Sequence, residues 1–65
     1  MQELIRVAVD AMGGDNAPAE IVKGAVEALK ASTDLKVILV GQEEAVQQEL
    51  SKYQYDASRM EVVNA

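Results

Sequence analysis

The sequence predicts an α/β fold in which the 65 residues supply β-α-β-α-β, half of a doubly wound, mostly parallel sheet. Three observations predict it. Short apolar runs rich in β-branched residues alternate with segments of helical periodicity. A glycine pair, Gly13-Gly14, separates the first run from the first helix, which is where α/β proteins place their ligands. The available core is aliphatic: hydrophobic residues make up 49% of the chain, with no Phe, no Trp and two Tyr. Such a core suits parallel strands covered by helices.

Residues 4–10 read as the first strand, and their unbroken apolar character predicts burial on both faces. Residues 18–31 read as the first helix. Ile21, Val22, Ala25, Val26 and Leu29 recur at spacings of three and four and form one stripe. Glu20 with Lys23, and Glu27 with Lys30, are placed for i,i+3 pairing on the opposite side. Pro18 fits the first turn, and Asn16 is the expected N-cap by residue type. Gly24 lies inside the helix, where it costs about 1 kcal/mol against Ala, and close packing on the sheet is the expected reason for it. The turn Ser32-Thr33-Asp34 leads into a second strand, residues 35–40, that ends at Gly41. Residues 42–53 read as a second helix, with Val46, Leu50 and Tyr53 on one face and Glu43 and Glu44 in the first turn. After a polar connection, a third strand begins at Met60. The chain stops as that strand closes. Residues 1–65 are therefore expected to be the N-terminal part of a single larger α/β domain.

Composition excludes several function classes. Without Cys or His there is no disulfide framework and no Cys/His metal site. The formal charge is −5, and the six basic residues are scattered. A nucleic-acid surface or an anionic-membrane anchor needs them clustered. The apolar run after the acidic N-terminus is too short for a signal peptide or a membrane span, so the default expectation is a soluble, cytoplasmic protein.

The chemistry is concentrated in Asp10-Ala11-Met12-Gly13-Gly14-Asp15-Asn16-Ala17-Pro18. The glycines are adjacent, so the G-x-G-x-x-G dinucleotide fingerprint is not met, and there is no phosphate-loop Gly-Lys-Ser/Thr. No nucleophilic triad can be assembled from these residues. Asp10, Met12, Gly13, Gly14, Asp15 and Asn16 remain as candidate substrate-binding residues. Asp and Asn near turns commonly bond their own loop, so both a binding and a loop-holding role stay open for them. Asp10 has the stronger placement, at the carboxyl end of a strand. The loop has no Lys or Arg. An anionic substrate would meet backbone N–H groups there, and Asp10 and Asp15 would repel a phosphate set directly against them.

That nonapeptide, followed by Ile21-Val22-Lys23-Gly24-Ala25, resembles the N-terminal signature of bacterial phosphate acyltransferases. The resemblance extends over the Val40-Gly41 strand end and the closing Glu61-Val62-Val63-Asn64-Ala65. It implies a three-layer α/β/α, Rossmann-like domain and transfer of a long-chain acyl group from acyl carrier protein to inorganic phosphate. It also implies a homodimer in peripheral contact with the membrane, no redox cofactor, and catalytic residues not identified within these positions. Asn16 and Asn64 stand where His is frequent in that family, so the resemblance gives Asn16 a binding or structural role rather than that of a general base. Two other readings compete: a phosphate acetyltransferase-like enzyme acting on acyl-coenzyme A, and a non-catalytic α/β binding module.

Overall fold

A computed structural model describes residues 3–65. The elements are β1 (Ile5–Asp10), α1 (Ala19–Ala31), β2 (Leu35–Gly41), α2 (Glu43–Leu50), a single 3₁₀ turn (Ala57–Arg59) and β3 (Met60–Asn64). The three strands are parallel in the order β1-β2-β3. Both crossovers advance in the same direction. Right-handed connections then place both helices on one face of the sheet, and α1 and α2 pack against each other and against β2.

Register fixes the two faces. Val7 pairs with Val37, and Leu39 with both Val9 and Val62, so these side chains share the helix-covered face. Arg6, Ala8, Lys36, Ile38, Val40, Glu61 and Val63 fall on the other face, which no described element covers. The core joins four of the five predicted α1 stripe residues (Val22, Ala25, Val26, Leu29) to Val37 and Leu39 of β2, Val46 and Leu50 of α2, and Ala11, while Ile21 is only partly buried against it. Each fully buried Val or Leu contributes about 1.5–3 kcal/mol.

The structure corrects several expectations. β1 is an edge strand, and Ile5 and Val7 are 59% and 42% exposed. Its continuous apolar run suits a central strand, but α1 lies mainly over β2. An apolar groove of about 320 Å³ is left between β1 and α1, lined by residues that include Val7, Val9, Ile21, Gly24 and Ala28. Gly24 is not a close-packing position, because a Cβ there would meet nothing within 4 Å. Asn16 does not cap α1 with its side chain. Pro18 occupies the N-cap, and the backbone carbonyls of Asn16 and Pro18 accept from Glu20 and Val22 N–H. Neither expected ion pair on α1 forms; exposed pairs gain little over hydration. α2 ends at Leu50 rather than Tyr53, since the N–H groups of Lys52 and Tyr53 turn back to the carbonyls of Glu49 and Leu50. Tyr53 nevertheless packs against the core.

Arg59 knits the elements together. Its guanidinium donates to the carbonyls of Leu29 (3.0 Å), Ser32 (2.6 Å) and Leu35 (3.2 Å), and to Asp56 Oδ2 (3.2 Å). These bonds satisfy carbonyls at the end of α1 and the start of β2. Asp56 also accepts from the Ser58 hydroxyl and N–H, and these bonds together with Arg59 hold its carboxyl below the usual range.

Candidate functional site

The carboxyl ends of the three parallel strands lie side by side. Asp10 closes β1 opposite Val40, and Gly41 closes β2 opposite Asn64. Parallel sheets bind ligands at this edge, because the loops that leave it are not committed to the ladder. The segment from Asp10 to Asn16 leaves from here, so the fold presents all six candidate residues on one short excursion.

The excursion is held to the sheet at its root. Ala11 is fully buried, and its N–H donates to the Val40 carbonyl at 2.8 Å, which extends the ladder by one residue. Asp10 then holds the next two residues. Its Oδ1 accepts from Met12 N–H at 3.0 Å, and its backbone carbonyl accepts from Gly13 N–H at 3.3 Å. This is the turn by which an Asp side chain takes the place of a backbone acceptor. One carboxylate oxygen of Asp10 is therefore engaged in holding the loop. Met12 is half-buried and packs against the core. Gly13 has ordinary clearance, whereas Gly14 holds φ +97°, a conformation that L side chains rarely adopt.

Beyond that point the loop is open. Gly14, Asp15 and Asn16 are exposed. Within the described residues, the N–H groups of Gly14, Asp15, Asn16 and Ala17 donate to no protein acceptor. The loop thus combines unpaired backbone donors near the start of α1 with two carboxylates and no cation. Unpaired donors beside a helix start favour an oxyanion. No group of three carboxylates gathers among the described residues to hold a metal ion.

Two further residues complete this edge, and neither was among the candidate site residues read from the sequence. Asn64 Oδ1 accepts from Glu43 N–H at 3.1 Å, so β3 caps α2 from 21 residues away. Gln42, at the N-cap itself, provides no side-chain bond. A polar residue closing an apolar strand was the available signal. Gly41 is buried beneath Met12 and Ala11, and a Cβ on it would stand 2.8 Å from Met12 Cγ. Only its place at a strand end was legible.

Comparison with known proteins gives the family. The chain is 57% identical over 61 residues to a protein of Syntrophomonas wolfei named phosphate acyltransferase, covering 94% of this chain and 19% of that protein. It is 56% identical to the protein of that name from Dictyoglomus thermophilum and 52% identical to that from Fusobacterium nucleatum. Each match covers 94% of this chain and 18% of the relative. The chain therefore spans about a fifth of the length of the curated relatives it matches. A family model described as fatty acid synthesis protein matches residues 5–65, from the first residue of β1 through the loop to the end of the chain. The strand, the glycine loop and the helices that frame it all fall within that match, and the chain belongs to the fatty acid synthesis protein family.

Proposed function

We propose that these residues form the phosphate-side portion of a phosphate acyltransferase. The enzyme moves a long-chain acyl group from acyl carrier protein to inorganic phosphate. One observation carries the reading: the loop of residues 10–16, with its unpaired N–H groups at the carboxyl edge of the sheet, lies within the segment shared with relatives named phosphate acyltransferase. In the reaction a phosphate oxygen attacks the thioester carbonyl. The C–S bond breaks, and the carrier's thiolate leaves and is protonated. Acyl phosphate is the product. No redox step is involved. Backbone N–H groups of Gly14, Asp15 and Asn16 receive the phosphate, and orientation supplies much of the rate. The Asp10 carboxylate is engaged with Met12 N–H, and it serves by holding the loop. Asp15 repels phosphate at close range, so cations from elsewhere in the enzyme complete the site.

The protein works in the cytoplasm as a homodimer, with peripheral membrane contact through other parts of the enzyme. Among the described residues no helix is long and apolar enough to cross a membrane. Acyl carrier proteins are acidic, and this chain carries −5. Like charges disfavour docking here, so the carrier binds another part of the enzyme.

The test uses a chimera in which this chain replaces the aligned 61-residue segment of the Syntrophomonas wolfei protein. Long-chain acyl carrier protein is supplied with and without phosphate, and acyl phosphate is trapped with hydroxylamine. Hydroxamate that forms only with phosphate is the expected result. Activity only with acyl-coenzyme A would move the reading to a phosphate acetyltransferase-like enzyme. A folded, inactive chimera would overturn it.

A further inference from the structure

Met12 is gripped from two strands. Its N–H is held by Asp10 Oδ1 at the end of β1, at 3.0 Å. Its side chain lies against the bare Cα of Gly41 at the end of β2. A Cβ on Gly41 would stand 2.8 Å from Met12 Cγ, 3.1 Å from Met12 Sδ and 3.3 Å from Ala11 Cβ. Ala11 is fully buried and bonded to Val40, so it cannot yield. Met12 is the atom group that would have to move. Gly14 is the one described glycine with positive φ, so Gly41 has a backbone conformation open to alanine. The effect of a methyl group at position 41 is therefore steric and is directed at Met12.

We propose that Gly41 is a positioning residue for the loop. By leaving a seat for the Met12 side chain, it sets how closely residues 12–16 lie over the carboxyl edge, and hence where the unpaired N–H groups of Gly14, Asp15 and Asn16 meet phosphate. The proposal rests on the acyltransferase reading above. Displacement of a binding loop by a fraction of an ångström to one ångström is costly for a substrate held by several directional donors. Gly41 acts on phosphate through Met12 and does not touch it.

The experiment is a double-mutant cycle in the chimera, with Gly41→Ala, Met12→Ala and both together. Steady-state kinetics are taken against phosphate and against acyl carrier protein, and Tm is measured for each variant. Gly41→Ala is expected to raise KM for phosphate about tenfold, with kcat and the carrier protein's KM within about twofold. In the Met12→Ala background, the same change should add less than about threefold, because the contacts with Met12 Cγ and Sδ are gone and only the 3.3 Å approach to Ala11 Cβ remains. An unchanged phosphate KM, or the same penalty in both backgrounds, would overturn the proposal. Should Gly41→Ala prevent folding, recovery of the fold in the double variant supports the contact with Met12, and failure to recover counts against it. An inactive parent chimera that remains folded defeats the acyltransferase reading itself. An active parent with an indifferent Gly41→Ala defeats the positioning role alone.

Discussion

At the scale of single residues, Gly14 and Asp10 hold the loop by different means. Gly14 sits at φ +97°, and a Cβ placed on it would meet nothing within 4 Å. A side chain there strains the backbone by about 1–2 kcal/mol without colliding with a neighbour. Gly14→Val in the chimera should therefore abolish turnover while the fold persists, read as lost hydroxamate formation with retained circular dichroism. A fully active variant would remove the loop from the site. Asp10 contributes an acceptor. Asp10→Asn can keep the bond to Met12 N–H, and Asp10→Ala cannot. In urea unfolding, Asp10→Ala should lose about 0.5–1.5 kcal/mol and Asp10→Asn much less. If phosphate KM also falls in Asp10→Asn, the negative charge was opposing the anion. Of the six candidate residues, the sequence made the location legible. It did not make the division of labour legible, because whether Asp10 bonds its own loop depends on the path the backbone takes after Ala11.

At the scale of elements, α1 shows where local pattern is sufficient. Val22, Ala25, Val26 and Leu29 were readable as a buried stripe because helical period depends only on neighbours in sequence. The same helix misled at Asn16 and Gly24. Asn16 has the side chain of a cap, but its turn gives the helix a backbone carbonyl instead. Gly24 looked like a packing glycine, yet it borders the open groove beside β1. Gly24→Ala should then stabilise the 65-residue chain by about 0.5–1 kcal/mol, since the added methyl improves helix propensity and displaces nothing. A higher urea midpoint at unchanged m-value, with both chains at the same low concentration so that association does not enter, is the expected result. In the chimera the same substitution reads the groove: a stabilisation of equal size means open space there also, and a loss means another segment packs over Gly24. α2 shows the reverse case. Its cap is Asn64, 21 residues away, and no window around Gln42 could have identified it.

At the scale of the whole molecule, the β-α-β-α-β order followed from alternating periods, and in the observed order β1-β2-β3 right-handed crossovers put both helices on one face. Two properties were hidden because they depend on what lies beside an element rather than within it. Arg59 read as one scattered cation, whereas its acceptors are carbonyls 24 to 30 residues earlier in the chain. β1 read as doubly buried, whereas its outer edge and one face are open. Ile5 is 59% exposed, and Val7 and Val63 are each 42% exposed. Among the described residues, β1 and β3 each present an unpaired edge in a sheet with one uncovered face. Backbone donors and apolar side chains exposed together invite pairing with another strand. The 65-residue chain should accordingly self-associate, with sedimentation coefficients that rise over a concentration series and with binding of an apolar-surface dye. Val63→Lys places a charge on the β3 edge strand, on the face away from α1, and should lower both signals without disturbing the α1 stripe. In the chimera the dye signal should fall as the rest of the larger domain packs on this sheet, and association should stop at the proposed homodimer rather than rise throughout the concentration series. A chain that stays monomeric and dye-silent at high concentration would instead favour a self-sufficient α/β binding module, whose loop would have to be tested for ligands by direct titration with phosphate.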